Sequence, residues 1–377
     1  MRVTFVLPTL DYSGGNRVVA MHAAALIERG HRVNVVVPRP GAQALLRASI
    51  GRWLPERLEV ALGGGKDTGG SHVQDRGLRP IVAARPGVVR VDDVPDADVI
   101  VATWWETAEW VQTMPGSKGA HAYFVQGYEV FDYTPKDRVQ ATYRAPLHRI
   151  TISKWLQDLL ARDFGDNDVD LVPNGVDLDH FSCAPRDKRP EPTVGFIAAT
   201  TPVKGLDTAI AALRRLDACV PGLRVLAFGR EAFPAREFGG LPLQYLERPT
   251  QAQIRDIYSR CDVWLAPSRS EGFNLPALEA MACRTPVVST RTGWPAQGIV
   301  DGVNGYLAEP GDDATLARHL STVLGLAPKD WLRMSQAAHS TASALTWDRS
   351  TSLFEAALMR AVARSECHGV APAAALP

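Results

Sequence analysis

The sequence lacks the features that mark several large classes of protein. Its 41 lysines and arginines balance 41 aspartates and glutamates, so no bulk charge favours a nucleic acid partner. No apolar run approaches the roughly 18 residues of a membrane span. Residues 1–8 form an apolar stretch too short for a secretory leader with a cleavage site. We therefore expect a soluble chain that contacts a membrane peripherally at most.

Cysteine is scarce and scattered. No two of the five cysteines form a Cys-x-x-Cys pair, and none has a histidine at metal-ligand spacing. This pattern favours buried free thiols in a reducing cytoplasm. We expect a cytoplasmic protein without a metal site, with the inner membrane face as the only peripheral option. The cysteines are Cys183, Cys219, Cys261, Cys283 and Cys367.

What the sequence does contain is an alternation of strand-like and helix-like segments that occurs twice. With 377 residues, 46% hydrophobic and 22% charged, the chain is long enough for two ordinary domains. A polar linker rich in proline separates the two runs. We predict a first domain over residues 1–177, a linker over 178–192 and a second domain over 193–345. A helix over 346–365 and a disordered tail over 366–377 complete the prediction.

The most informative stretch is residues 262–290. Residues 262–266 form a short apolar run, 267–274 have loop composition, and 275–283 favour helix with a proline where the first turn tolerates one. Residues 287–290 then indicate another strand. A strand, loop, helix and strand in this order build parallel sheet.

Two carboxylates fall at informative places in this unit. Glu271 follows the strand and Glu279 lies about one turn inside the helix, so both can face the crevice above the sheet edge. The amino end of the helix near Asn274 and Leu275, with Gly272 beside it, suits a phosphate. The spacing of the two glutamates alone is also explained without a ligand, because acidic residues are common near the positive amino end of a helix. Two carboxylates that can bind hydroxyl groups, next to a site that can bind a phosphate, indicate that the ligand is a sugar nucleotide.

The run Pro-Ser-x-x-Glu-Gly-Phe-x-Leu-Pro-x-x-Glu-Ala-Met-Ala-Cys at 267–283 resembles the glutamate-x7-glutamate signature of retaining GT-B-type glycosyltransferases, family four (group 1). The resemblance implies an α/β fold of two Rossmann-like doubly wound domains with parallel sheets, facing across a cleft. It also implies a final helix that crosses back to the first domain. The co-substrate would be a nucleoside diphosphate sugar, with no cofactor.

The resemblance assigns the donor site to the second domain. Glu271 would bind donor-sugar hydroxyls and Glu279 the ribose, while Lys204 would reach the pyrophosphate. The family commonly has an arginine five residues before this lysine, where this chain has Ala199. We take Glu271 and Lys204 as catalytic. The donor-binding set is Gly15, Lys204, Gly229, Arg230, Glu271, Gly272, Phe273, Asn274, Leu275 and Glu279.

On the acceptor side the resemblance points to Gly14, Trp104, Gln126 and Glu129. Each of these follows a predicted strand of the first domain. Many members of the family carry a histidine where this chain has Gln126 and Glu129, so a role that needs histidine is not carried over. The substitution is similar to the branch that contains rhamnosyltransferases of surface-glycan assembly, which makes a deoxysugar such as rhamnose one option for the donor.

The predicted reaction is transfer of a sugar to a hydroxyl of a glycan, lipid or small molecule, with retained anomeric configuration and without a metal. Two alternatives stay open: a sugar-nucleotide epimerase of the same architecture, and a non-catalytic subunit that binds sugar nucleotides. Residues 43–60 predict an amphipathic helix that covers the sheet or docks on a membrane. Residues 63–77 predict a loop that could serve as a lid.

Overall fold

The computed structural model describes residues 1–40, 70–233 and 238–369 of the chain. The chain divides into two compact units. Unit 1 comprises Met1–Ile152, Leu156–Val172 and Asp348–Pro377, and unit 2 comprises Ser153–Trp155 and Pro173–Trp347. Each unit contains its own parallel sheet. The predicted fold class, two Rossmann-like α/β domains, is confirmed.

The sheet of unit 1 has seven strands in the described residues, and every neighbouring pair is parallel. The strands are β1 (Arg2–Val6), β2 (Arg32–Arg39), β3 (Ile81–Pro86), β4 (Val99–Ala102), β5 (Ala120–Val125), β6 (His148–Thr151) and β7 (Asp170–Leu171). Their order is β3-β2-β1-β4-β5-β6-β7. The order reverses between β1 and β4, and the carboxyl ends at such a reversal form the crevice in which open α/β sheets bind ligands.

Helices follow the strands of unit 1, as parallel connections require. They are α1 (Gly14–Glu28), α2 (His72–Asp75), α3 (Trp105–Val111), α4 (Lys136–Thr142) and α5 (Lys154–Phe164). The central strands are buried on both faces, which explains their nearly unbroken apolar sequences. Val6, Ile100 and Tyr123 lie in the core beneath these helices.

The sheet of unit 2 has six parallel strands in the described residues, in the order β10-β9-β8-β11-β12-β13. They are β8 (Thr193–Ile197), β9 (Arg224–Gly229), β10 (Leu243–Glu247), β11 (Val263–Ala266), β12 (Val287–Thr290) and β13 (Gly305–Ala308). The reversal of this sheet lies between β8 and β11. The carboxyl ends of those two strands therefore mark the expected ligand crevice of unit 2.

Unit 2 carries six helices among its described residues. They are α6 (Leu206–Asp217), α7 (Gln251–Arg260), α8 (Leu275–Ala282), α9 (Pro295–Gly298), α10 (Asp313–Gly325) and α11 (Pro328–Ser343). Leu213 of α6 and Leu320 of α10 are fully buried in the same core, together with Leu265 of β11. Burying a leucine contributes roughly 1.5–3 kcal/mol, so this layer stabilises the sheet that carries the site.

The final helix, α12 (Trp347–Gly369), belongs to unit 1 from Asp348 onward. The ring of Phe354 stacks on Phe5 at 5.9 Å and on His22 at 4.5 Å between ring centroids. Arg360 binds Asp170 of β7 through two hydrogen bonds of 2.6 and 3.0 Å. The predicted return of the last helix to the first domain agrees with these contacts.

The prediction for the end of the chain needs correction. The final helix, predicted over 346–365, begins at Trp347 and continues to Gly369. Residues 366–369, assigned to a disordered tail, are helical.

Other predictions fall on residues that the structure does not describe. The helix over 43–60, the part of the loop up to residue 69, and residues 370–377 lie outside the described residues. No helix in the described ranges combines the length and the apolar character that crossing a bilayer requires. Cys261 and Cys283 are buried free thiols as expected, but Cys219 and Cys367 are exposed.

Candidate active site

Two loops of unit 2 meet at the carboxyl edge of its sheet. They follow β8 and β11, which are hydrogen-bonded neighbours. The amide of Arg269 in one loop donates to the carbonyl of Val203 in the other at 2.7 Å. Gly205 adopts φ +67°, and a Cβ there would lie 2.2 Å from the carbonyl oxygen of Pro267. Only glycine allows the two loops to approach this closely.

This approach brings Lys204 to Glu271. The Lys204 ammonium lies 2.8 Å from Oε1 and 3.0 Å from Oε2 of the Glu271 carboxylate. The hydroxyl of Ser268 donates to Oε1 at 2.7 Å. The Glu271 side chain is 12% exposed and that of Lys204 42%. The carboxylate is therefore held from two sides, while the ammonium stays accessible to a ligand.

Beside this pair, helix α8 begins with an unusual turn. Asn274 is its cap residue, in the left-handed conformation with φ +79°, and its side-chain oxygen accepts from the amide of Ala277 at 3.3 Å. Among the described residues, the amides of residues 272–275 donate no hydrogen bond to any partner. Consecutive free amides at the positive end of a helix form a site suited to an anion.

The loop from Glu271 to Asn274 is fixed by residues that sequence reasoning missed. The indole Nε1 of Trp155 donates to the carbonyl of Gly272 at 3.2 Å. The amide of Trp294 donates to the carbonyl of Phe273 at 2.8 Å, and the two rings stack at 5.9 Å. Trp155 precedes Gly272 by 117 residues, so no local pattern in the sequence could have paired them.

Glu279, predicted to bind ribose, lies deeper than expected. The residue is 4% exposed, and the phenol of Tyr258 donates to its Oε2 at 3.0 Å. Tyr258 itself is fully buried. A polar side chain at this depth needs hydrogen-bond partners to offset its loss of hydration. A ribose hydroxyl would therefore join a hydrogen-bonded pair that already exists in the protein.

Gly229 and Arg230 lie at the end of β9, next to β8. A Cβ on Gly229 would lie 2.2 Å from the carbonyl oxygen of Ala198, so this position requires glycine. Arg230 is exposed, and its guanidinium forms no ion pair with any residue in the described part of the chain. Ala199 stands where the family resemblance predicts an arginine beside Lys204. Arg230 follows the strand next to the one that precedes Ala199.

In unit 1, Gly14, Gly15 and Gln126 cluster at the carboxyl edge. Gly15 lies in the first turn of α1, and a Cβ there would be 3.5 Å from Nε2 of Gln126. A Cβ on Gly14 would meet nothing within 4 Å. The Gln126 Oε1 atom is buried without a hydrogen-bond partner among the described residues. Gly15 and Gln126 thus lie next to each other at the carboxyl edge of the unit 1 sheet.

Glu129 needs correction as an acceptor-side residue. It is 2% exposed, and its Oε2 accepts from the amide of Trp105 at 2.7 Å and from the phenol of Tyr123 at 2.8 Å. Burial raises the pKa of Glu129 to about 8. The carboxyl group therefore holds the amino end of helix α3, directly after Trp104. In this structure Glu129 is buried beneath the surface of unit 1 and does not line it.

The structure thus gathers the predicted residues into two groups. Most donor residues lie in unit 2 around Lys204 and Glu271, whereas Gly15 and the acceptor-side residues lie in unit 1. Within the described ranges, no three histidine, cysteine, aspartate or glutamate side chains are grouped so that they could hold a metal ion. The unit 2 group offers an accessible ammonium, a fixed carboxylate and free amides, which together can bind a sugar phosphate.

Family models match both halves of the chain. A model described as glycosyl transferases group 1 matches residues 191–325. A second, described as Glycosyltransferase Family 4, matches residues 12–180. Together they cover most of the chain.

Relatives and solved structures agree with these matches. D-inositol 3-phosphate glycosyltransferase of Mycolicibacterium smegmatis is 30% identical over 226 residues, 55% of this chain and 50% of that protein. The corresponding protein of Segniliparus rotundus is 30% identical over 202 residues, 48% of this chain and 44% of the relative. The chain matches about half the length of these relatives.

The fold is similar to that of several solved structures at low sequence identity. Anabaena HepE, solved with UDP and glucose, has a TM-score of 0.69 and 16% identity, covering 96% of this chain and 100% of that one. Sucrose-phosphate synthase of Thermosynechococcus elongatus has a TM-score of 0.71 and 17% identity, covering 97% and 100%. At such identities the likeness concerns the fold.

Proposed function

Both halves of the chain belong to glycosyltransferase families, group 1 and family 4, and from this premise we propose that it transfers a sugar from a nucleoside diphosphate to an acceptor hydroxyl. The supporting observation is the group formed by Lys204, Glu271 and the free amides of residues 272–275 at one sheet edge. An ammonium, a carboxylate and a helix end match the phosphate and hydroxyl groups of a sugar nucleotide.

The proposal assigns the leaving group to Lys204 and the helix α8 amides. Departure of the nucleoside diphosphate moves negative charge onto a phosphate oxygen, and groups already aimed at that oxygen stabilise the charge as it forms. Lys204 is 42% exposed although it is paired with Glu271, so an incoming phosphate can reach it. Arg230 is the exposed base on the neighbouring strand that we propose as the second cation.

The reaction we propose retains the anomeric configuration. The bond from the anomeric carbon to the phosphate oxygen breaks, and a bond from that carbon to the acceptor oxygen forms on the same face. The acceptor proton passes to the departing phosphate oxygen. Glu271 binds donor-sugar hydroxyls and Glu279 the ribose, and neither is a nucleophile. Both accept hydrogen bonds from protein groups in this structure, which supports roles in binding.

We further propose that the reaction needs no divalent metal, because Lys204, Arg230 and the helix amides supply the positive charge. The donor sugar is open, with a deoxysugar such as rhamnose one option. HepE was solved with UDP-glucose, and the relatives named above act on an inositol phosphate. These compounds are therefore the first donor and acceptor to test. We place the enzyme in the cytoplasm, with membrane contact only if the acceptor is a lipid.

The test begins with thermal shifts against UDP-, GDP-, ADP- and dTDP-sugars in EDTA. A ligand at 100 times its Kd stabilises the folded state by about 2.7 kcal/mol. The best donor is then incubated with candidate acceptors, and NMR of the product gives the anomeric configuration. Turnover of donor into an epimer without acceptor, or binding without any transfer, would overturn the proposal.

A further inference from the structure

We propose that Arg186 is a positioning residue for the donor nucleotide: it holds the ends of two helices and thereby aligns Tyr258 with Glu279, the carboxylate assigned to the ribose. The inference rests on the proposed function, since it adds a residue to the same donor site. Arg186 was not among the predicted site residues. It lies in the segment 178–192, which the sequence predicts as a linker.

The Arg186 guanidinium lies at the carboxyl ends of two helices of unit 2. Its Nη2 atom donates to the carbonyl of Cys261, the cap residue that ends α7. The same atom donates to the hydroxyl of Thr285 at 3.0 Å. The amide of Thr285 in turn donates to the carbonyl of Ala280 in α8 at 3.0 Å. A positive charge is favourable at the carboxyl ends of helices, so Arg186 joins the end of α7 to the turn that follows α8.

The charge of Arg186 is accommodated without an acidic partner at ion-pair distance in the part of the chain that the structure describes. The side chain is partly buried, and burial lowers the pKa of Arg186, although a guanidinium stays charged in proteins. The guanidinium lies over the ring of Trp331, 4.7 Å from its centroid. Asp262 attracts it, but the Asp262 carboxylate accepts hydrogen bonds from the amides of Arg189 and Thr193. Arg186 is thus held by helix ends and an aromatic ring rather than by an acid.

A chain of hydrogen bonds leads from Arg186 to the carboxylate assigned to the ribose. The Thr285 hydroxyl, which accepts from Arg186, donates to the carbonyl of Tyr258 at 2.6 Å. Tyr258 lies in the last turn of α7, and its phenol donates to Oε2 of Glu279 at 3.0 Å. Thr285 and Tyr258 are fully buried and Glu279 is 4% exposed. Because bulk water does not reach these groups, a lost hydrogen bond among them is costly.

This chain gives Arg186 an effect on one part of the nucleotide. Hydrogen bonds weaken steeply when donor and acceptor are misaligned. If the ends of α7 and α8 shift relative to each other, Tyr258 shifts with α7, and the Glu279 carboxylate on α8 loses its fixed orientation. Loss of Arg186 should therefore weaken the contacts with the ribose hydroxyls. The phosphate contacts assigned to Lys204 and to the amino end of α8 do not depend on this chain of hydrogen bonds and should remain.

Lys188 supplies a matched control from the same segment. Its ammonium donates to the carbonyl of Leu324 and, at 2.8 Å, to that of Leu326, at the carboxyl end of α10. Lys188 is thus also a cation on a helix end, two residues along the chain from Arg186. Helix α10 carries none of the groups assigned to the donor. Lys188→Met should therefore lower stability, as Arg186→Met does, and leave ribose binding unchanged.

The test measures the binding of UDP, GDP, ADP and dTDP to the full-length protein by calorimetry in EDTA, each beside its 2′,3′-dideoxy analogue. For the nucleotide that the wild type binds most tightly, the Kd of the analogue is divided by that of the nucleotide. This ratio reports the ribose hydroxyls, because the base and the phosphates are the same in both compounds. Urea denaturation measures the stability of each variant separately. The variants are Arg186→Met, Arg186→Lys, Thr285→Val, Glu279→Gln and Lys188→Met.

We expect a wild-type ratio of about ten or more, as for a hydrogen bond to a charged group. Glu279→Gln, Arg186→Met and Thr285→Val should each lower this ratio by about threefold or more. Arg186→Lys, which keeps the charge, should lower it less than Arg186→Met. Adding Arg186→Met to Glu279→Gln should lower it no further, because both changes act on the same carboxylate. Lys188→Met should keep the wild-type ratio at reduced stability.

A wild-type ratio in Arg186→Met would overturn the inference, as would a ratio that falls equally in Lys188→Met. If Arg186→Met does not fold, Thr285→Val decides, and an unchanged ratio in that variant overturns the inference. Failure of the proposed function is a separate outcome, seen when none of the four nucleotides binds the wild type. If Glu279→Gln lowers the ratio and Arg186→Met does not, the inference fails and the transferase stands.

Discussion

Replacing Lys204 by methionine separates the catalytic use of its charge from the structural one. Methionine keeps much of the length and the apolar stem of lysine but removes the ammonium group. In the folded protein the group lies 2.8 and 3.0 Å from the two Glu271 oxygens. At an effective dielectric constant of about 20, unit charges at that distance attract each other by roughly 6 kcal/mol. Because Lys204 is 42% exposed, solvent screens most of this attraction, and we expect a net loss of about 1 kcal/mol in unfolding free energy.

The expected loss in catalysis is larger. If Lys204 stabilises the departing diphosphate, its removal should lower kcat/KM by about 10² to 10³, the cost of removing one preorganised charge partner. The assay is single-substrate kinetics with the donor found by thermal shift, together with urea denaturation of the same variant. Arg215→Met is the control, since Arg215 forms a partly exposed ion pair with Asp313 in the same unit. It should change stability by a similar amount and leave kcat/KM unchanged.

A double-mutant cycle with Glu271→Gln completes the design. Since the two side chains are in direct contact, the two substitutions should not be additive. The reasoning is refuted if Lys204→Met keeps kcat/KM within threefold of the wild type. It is also refuted if activity falls only in proportion to stability, as the Arg215 control would reveal.

Three further predictions follow from single contacts. Trp155→Phe removes the donor to the Gly272 carbonyl and should raise the donor KM several-fold with a melting temperature near that of the wild type; an unchanged KM would mean that the loop is fixed without it. Gly205→Ala should destabilise the protein by about 1–3 kcal/mol in urea denaturation, because φ is +67° and the new Cβ would meet the Pro267 carbonyl; an alanine variant as stable as the wild type would contradict this. The pKa of Glu129 is raised by burial from 4.5 to about 8, so its contribution to stability is full below the unfolded pKa and is lost as pH rises towards 8. In Glu129→Gln the free energy of unfolding should fall less steeply with pH, by up to about 1.4 kcal/mol per pH unit, in urea denaturations between pH 5 and 9. Equal slopes for the variant and the wild type would show that Glu129 does not cause the decline.

Much of the fold could be predicted because its signals are local. The apolar strand runs of parallel sheets and the turns between them are written in neighbouring residues, so the two α/β domains followed directly. Helix α8 and the strand after it were placed within a residue of their ends, because Asn274, Pro276 and Thr285 mark them. Errors arose at the ends of elements, as with the last helix, which continues beyond the predicted residue 365 to Gly369.

The candidate site was predictable in part. Glu271 and Glu279 were identified from the whole run at 267–283 and Lys204 from the family resemblance, and the structure shows Lys204 and Glu271 in direct contact. The depth of Glu279 and the burial of Glu129 were not foreseen. Burial depends on which elements pack over a residue, and that depends on the order of strands in the sheet rather than on neighbouring residues.

The sequence by itself determined the alternation of strands and helices, the two parallel sheets and the strand ends that carry polar residues, because each follows from contacts within about 20 residues. Only the tertiary structure decided that Lys204 holds Glu271 across 67 positions and that Trp155 fixes Gly272. Such pairs form when loops from different strands meet at one sheet edge. Their geometry is set by strand order and by close approach at residues such as Gly205, which no local pattern encodes.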